Sequence, residues 1–386
     1  MKLKRLREVD ALRSFALGGI LMVNIWYFAD PFTVAGEISP AHDSPADVTV
    51  RFTVAALFEA KFYLLFSFLF GYSFVLQWQA AVAASASPVQ RMSRRLTALL
   101  VLGLLHGTFL FFGDILLTYA LMGFILLATY SIRTSAAVIA GSALIGIVGS
   151  AILVVGLFVA VASVGLPPVG FDVDADALVQ SPGSAFFANV DNFLNNVAGV
   201  VLFQGPLSLA MFYLGLAAGR VGLLSGQLSR RALTTTASVA LPVGLTAGAI
   251  QAYLTNYVDA EQFSVLAVGI STLTAPLLTA GYVSLLLLFF RTTTGGRFRD
   301  FLAPAGRIAL TNYLMQSLIM AFLFTAYGLR LSDQLPAAAV AGIAVVIYAA
   351  QLVFSRILLS RVSMGPMEWL MRRITYGARR AQAVRN

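Results

Sequence analysis

Ten runs of apolar residues, each near the length of a membrane-crossing helix, leave this chain few alternative folds. They fall at 11–30, 52–80, 95–112, 114–131, 136–164, 198–222, 233–255, 263–290, 305–327 and 335–358. A helix needs about 20 such residues to cross the hydrocarbon core. In that core each backbone polar group needs an internal partner, which helices supply within themselves. The expected fold is all-α: one polytopic transmembrane domain over 1–386 with about ten helices. Charged residues make up 11% of the chain, against about 25% in soluble globular proteins.

The charges between the runs alternate in sign. One set of loops carries Lys2, Lys4, Arg5 and Arg7, then Arg91, Arg94 and Arg95, then Arg133, then Arg220, Arg230 and Arg231. It continues with Arg291, Arg297 and Arg299, and ends with Arg372, Arg373, Arg379 and Arg380. The opposite loops carry Asp30, Glu37, Asp43 and Asp47, then Asp172, Asp174 and Asp176, then Asp259 and Glu261. Basic loops stay in the cytoplasm, so both termini are expected there. The net charge of +9 is this topology signal, not a nucleic-acid patch. The basic, then apolar start reads as a retained first helix, since the run is long and lacks a small-residue cleavage site.

With no cysteine, disulfides, thiolate metal sites and a cysteine nucleophile are excluded. Two histidines, His42 and His106, argue against a histidine metal centre, and no metal is expected. The longest outer loop is 165–197. Pro167 and Pro168 predict an irregular first part. Phe186, Phe187, Val190, Phe193, Leu194 and Val197 recur at helical spacing, with Asn189, Asn192, Asn195 and Asn196 between them. That periodicity predicts an amphipathic interfacial helix near 184–197, or else an early turn of the sixth span. The pairs Gly103–Gly107, Gly215–Gly219 and Gly244–Gly248 are assigned to close helix packing.

Polar residues inside the runs are the candidates for function. His106 lies 11 positions beyond Arg95, roughly 16 Å into the bilayer at about 1.5 Å per residue. Asn24 stands at the same spacing from Arg13. Lys61 is 10 residues along its run from Arg51, and Gln316 is nine beyond Arg307. Counting thus brings Asn24, Lys61, His106 and Gln316 to one level, with Thr311 and Asn312 about a turn nearer the cytoplasm. Intramembrane ionisable groups usually face a cavity and mark function. Asn and Gln also serve as plain interhelical hydrogen bonds, and His106 alone can be a neutral core histidine. Lys61 sits too deep to snorkel. Glu59, two residues before it, points to another helix face, so Lys61 is expected to meet a ligand anion, Asp114 or water. Asp10 and Arg13, three apart, can pair at the inner interface. Asp114 lies eight beyond His106, nearer if the chain bends at Gly113–Asp114.

Several stretches carry a family likeness: VDALRSFALGGILMVNI (9–25), KFYLLFSFLFGYSF (61–74), RLTALLVLGLLHGTFLFFGDILLTYALMG (95–123), GRIALTNYLMQS (306–317) and GPMEWLMRRIT (365–375). Together they resemble the YeiB-like family of bacterial membrane proteins over nearly the whole chain. The first span also resembles that of transmembrane acyltransferases, the heparan-α-glucosaminide N-acetyltransferase and acyltransferase-3 enzymes. Their first helix carries an Arg and, 11 residues on, a polar residue, matched by Arg13 and Asn24. The histidine that follows the Asn in the heparan enzyme has no counterpart, since position 35 is Ala. His106, within HGxxxxxGDIL, is the replacement candidate.

The resemblance implies acyl transfer across a bacterial plasma membrane, from cytoplasmic acyl-CoA to an extracytoplasmic sugar, lipid or glycan. Arg13, Arg94, Arg95 and Arg307, with Asp10, would form the donor's phosphate site. His106 would act as base, oriented by Asp114, with Lys61 or Asn24 stabilising an oxyanion. Asn24, Gln316, Asn312 and Glu59 are the candidates for acceptor contact. Expected partners are membrane lipid, donor and acceptor; a homodimer stays open. A carrier of a small metabolite or lipid through a polar midplane cavity is the main alternative, and a non-catalytic membrane partner the third.

Overall fold

A computed structural model describes residues 6–35, 39, 41–166, 170 and 173–376. Lys2, Lys4, Arg5, Glu37, Pro167, Pro168, Asp172, Arg379 and Arg380 lie outside the described residues. Among the described residues the regular structure is helical throughout. The first half contains α1 (Arg7–Asn24), α2 (Trp26–Ala29), α3 (Pro31–Ala35), α4 (Pro45–Leu57), α5 (Lys61–Ala83), α6 (Pro88–Phe109), α7 (Leu116–Ala128) and α8 (Thr134–Ala162). Then come α9 (Ala175–Gln180), α10 (Pro182–Arg220), α11 (Arg230–Asn256), α12 (Ala260–Phe289), α13 (Thr293–Arg307), α14 (Ala309–Phe324), α15 (Ala337–Arg361) and α16 (Pro366–Tyr376).

Each of the ten apolar runs falls on a helix. Seven continuous or nearly continuous helices are long and apolar enough to cross a membrane, and the bent α13–α14 pair makes an eighth. The remaining two runs form the hairpin α6–α7. Helix α7 has 13 residues, about 20 Å of rise against a core about 30 Å thick. The α6–α7 turn therefore lies within the protein instead of crossing fully.

Helices α1, α5, α6, α7, α10 and α14 supply the central core, where Leu17, Phe62, Leu96, Tyr119, Phe212 and Tyr313 pack together. Helix α5 rests on α10 at Gly215, where a Cβ would stand 2.1 Å from the Phe68 carbonyl oxygen. Helix α8 is peripheral. Its Ile139, Ile147, Phe158 and Val161 are two-thirds exposed or more, as suits a face in contact with lipid chains.

Three departures from the expected spans matter. The run 52–80 is broken between α4 and α5, where Ala60 takes a left-handed φ of 64°, uncommon for a side-chain-bearing residue. The break frees carbonyls, and side chains satisfy them. Lys61 Nζ donates to Ala55 O at 2.8 Å and Tyr282 Oη to Leu57 O at 3.1 Å, and just past the break Thr279 Oγ1 donates to Lys61 O at 2.9 Å. Arg51, a basic residue at the aspartate-rich end, is buried against Asp30 at 3.5 Å and donates to His42 O at 2.6 Å.

The second departure corrects the interfacial helix. Helix α10 runs unbroken for 39 residues, so 184–197 is the start of the sixth span. Asn189 and Asn192 face inward and are buried, whereas Phe187 and Leu194 are exposed. This first part of the polar stripe faces protein, where Asn189 hydrogen-bonds the α6–α7 loop, while Asn195 is exposed. The third is a 74° bend between α13 and α14 at Ile308. It sets the N-terminus of α14 inside the arginine-rich end of the bundle.

Candidate functional site

A cavity of about 540 Å³ opens at the arginine-rich end, between α1, α5, α6, α14 and α16. Its mouth carries Arg13, Arg95, Arg307 and Arg372, and its inner wall is Ile115, Leu116, Tyr119 and Tyr313. Arg13 donates to Asp10 at 3.0 Å and to Ser73 Oγ. Arg95 lies over the Phe70 ring at 5.6 Å, and its Nε is buried without a hydrogen-bond partner. Arg307 donates to the Ser363 carbonyl at 3.0 Å. Glu368 of α16 accepts from the N–H groups of Leu310 and Thr311 at 2.9 and 3.1 Å, and from Thr311 Oγ1 at 2.6 Å. It caps the N-terminus of α14, satisfying two of the donors every helix start leaves open.

Behind the Tyr313 wall lies the His106–Asp114 pair. Helix α6 ends at Phe109, and the chain doubles back so that Asp114 Oδ1 stands 2.7 Å from His106 Nδ1. Asp114 Oδ2 accepts from the Leu117 N–H at 2.8 Å, fixing the carboxylate at the start of α7. Gly103 lets the hairpin close, since a Cβ there would stand 2.4 Å from Leu117 N and 2.8 Å from Asp114 Oδ2. Nδ1 is thereby assigned the proton, leaving Nε2 as the acceptor. That nitrogen is buried and has no hydrogen-bond partner. The Tyr313 ring lies 5.1 Å from the imidazole, and its hydroxyl lies against the Ile115 backbone.

Asn189 of α10 holds the loop between His106 and Asp114. It accepts from Phe112 N–H at 3.1 Å and donates to the carbonyls of Gly107 and Thr108 at 2.8 and 2.7 Å. Asn189→Ala strands all three groups, which are enclosed by protein. Unsatisfied groups cost about 1–3 kcal/mol each. A lowered thermal midpoint in detergent is the expected outcome; an unchanged midpoint would mean the loop does not depend on this clamp.

The structure brings together Arg13, Arg95 and Arg307 on one cavity, with Asp10 as the buried partner of Arg13. Arg94 is exposed and does not line it, because adjacent helical residues point about 100° apart. His106 and Asp114 meet directly. Lys61 does not join them: its Nζ is held by Ala55 O and by Gln251 Oε1 at 3.1 Å. Gln251 Nε2 in turn donates to Glu59 Oε2 at 2.8 Å. Lys61 and Glu59 are thus joined through Gln251 instead of pairing directly. Gln316 and Asn312 belong to a buried ladder between α14 and α15. Gln316 donates to Gln351 at 2.8 Å, Gln351 to the Asn312 carbonyl at 2.9 Å, and Asn312 to Ser355 at 2.9 Å. Neither lines the cavity, nor does Asn24, half-buried at the end of α1.

Tyr313, Glu368 and Gln251 were not singled out by sequence reasoning, and Asn189 entered only as part of the polar stripe of 184–197. Tyr313 and Glu368 do sit in the ALTNYL and GPMEWL stretches, so a signal was present without a role attached.

A family described as a protein of unknown function (DUF418) matches residues 218–378. The chain is 29% identical to the uncharacterized protein YxaH of Bacillus subtilis (strain 168), covering 97% of this chain and 94% of the relative. It is 31% identical to the uncharacterized protein YeiB of Escherichia coli (strain K12), covering 96% of each. It is 29% identical to an uncharacterized 39.9 kDa protein encoded in an amylase 3' region of Bacillus acidopullulyticus, over 97% and 94%. With almost its whole length aligned to YeiB at that identity, the chain belongs to the YeiB-like family of membrane proteins.

Proposed function

We propose that the chain is a membrane-embedded acyltransferase of the bacterial plasma membrane. In this reading an acyl-CoA binds at the arginine-rich, cytoplasmic end and its acyl group passes to an acceptor reached from the opposite face. The observation that carries the proposal is one cavity with four arginines at its mouth, ending at a tyrosine wall against a buried His–Asp pair. Arginine forks suit the phosphates of such a donor. His106 Nε2 takes the proton of an acceptor hydroxyl or amine as that atom attacks the thioester carbonyl. The carbon–sulfur bond then breaks and the thiolate leaves, with the proton on His106 available to it. Asp114 stabilises the imidazolium in between. Tyr313 separates the imidazole from the cavity in the resting arrangement, so transfer requires its ring to turn aside. Lys61, engaged by Gln251 and Ala55, takes no part in this scheme.

Arg95→Ala and Arg13→Ala are each expected to weaken CoA binding about tenfold or more, because each removes a charge-assisted contact. Arg94→Ala, outside the cavity, is expected to leave it unchanged. Titration calorimetry in detergent reads all three. Equal losses in Arg94→Ala would mean a diffuse charge effect, and no saturable binding by the unaltered protein would remove the donor.

A carrier is the second reading, favoured by the helix break at Ala60. Broken helices near mid-membrane recur in transporters.

A further inference from the structure

Among the described residues lining the cavity, Glu368 is the one carboxylate, facing four arginines. It sits where a phosphate would be held best. The first N–H groups of the 16-residue α14 point at it, and so does the Thr311 hydroxyl. Helix N-termini accept carboxylate and phosphate oxygens by the same donors and the same dipole. A second feature points to a ligand with more charge than one carboxylate: Arg95 borders the same cavity with its buried Nε unpartnered.

We propose that Glu368 is an internal stand-in for a phosphate or pyrophosphate group. Such an anion takes over the N–H groups of Leu310 and Thr311, displaces the Glu368 carboxylate, and releases α16 from the mouth. This deepens the donor reading above, since it gives the donor's phosphate a seat and makes α16 its latch. The chain is built for a swap at this point. Glu368 is the fixed end of α16, and its three bonds are all to residues 310 and 311. The far end of α16 rests on α6 and the edge of the central core, through Met371, the buried Thr375 and Arg91 over the Tyr376 ring at 4.6 Å. A doubly charged phosphate, or a pyrophosphate, outcompetes a single carboxylate in an arginine-rich site because more charge-assisted bonds form.

Trp369 reports the event, being next to Glu368 and about half exposed. The full chain carrying Trp26→Phe and Trp78→Phe, in detergent, is titrated separately with inorganic pyrophosphate and with CoA, following Trp369 emission and heat. A saturable emission change that coincides with binding is expected. Glu368→Gln is expected to tighten pyrophosphate binding about tenfold by removing the competing charge. If Glu368→Gln does not fold, Glu368→Asp keeps the charge but falls short of α14, and is expected to tighten binding as well. Binding without a change at Trp369, or variants that bind no tighter, would overturn the exchange. CoA binding with an unmoved latch would leave the donor reading standing and remove the exchange. Pyrophosphate exchange without CoA binding would do the reverse. Binding of neither anion would overturn both.

Discussion

His106→Gln is expected to lower acyl transfer by about 10²–10⁴-fold, the usual contribution of a general base, while leaving CoA affinity intact. The split follows from placement. The arginines that would hold the donor lie at the cavity mouth, whereas His106 lies behind Tyr313 and touches none of them. Gln keeps a polar side chain of similar size and loses basicity. The His106–Asp114 bond also ties the α6–α7 hairpin together, so the variant should melt earlier. Rates are therefore normalised to folded protein. Near-normal transfer per folded molecule would assign His106 to holding the hairpin.

Lys61→Met should produce the largest loss of stability with little change in transfer per folded molecule. Lys61 is 2% exposed and donates to Gln251, which binds Glu59. Removing the ammonium leaves the carboxylate without its cation and Ala55 O without its donor. A buried polar group left unsatisfied typically costs about 1–3 kcal/mol, and here Ala55 O and Gln251 Oε1 both lose their donor. Adding Glu59→Gln removes the stranded charge, so the double variant should recover much of the loss, a coupling that a double-mutant cycle measures. Thermal unfolding in detergent reads it. A Lys61→Met protein that melts normally but transfers as poorly as His106→Gln would place Lys61 in the chemistry after all.

Much of the helix pattern was legible because bilayer burial forces long apolar runs and leaves arginines between them. The His106–Asp114 pair was legible too, because Gly113–Asp114 marks a bend and eight residues is a short return. What failed was depth counting across breaks. A rise of about 1.5 Å per residue assumes an unbroken helix, and Ala60 ends that assumption one residue before Lys61. Lys61 then turns back onto α4 instead of toward His106. Asn189 and Asn192 were read on the wrong side, since an amphipathic stripe does not say whether protein or water takes its polar face. Tyr313 passed as an ordinary aromatic in an apolar run; only the fold shows its ring against His106. Glu368, 58 residues beyond Leu310, could not be matched to α14 without the bend at Ile308.

Delivery of an acyl group through the arginine cavity to an acceptor across the membrane is measured most directly with the protein in proteoliposomes that enclose a membrane extract. Acyl-labelled CoA is added outside, and vesicles with the arginine-rich end outward are selected by accessibility of a cysteine at Ser225. The account expects the acyl label to appear on an enclosed acceptor, at a rate that falls with Arg95→Ala and collapses with His106→Gln. Intact labelled CoA, or another solute, moving across with no label on any acceptor would contradict it and establish the carrier reading.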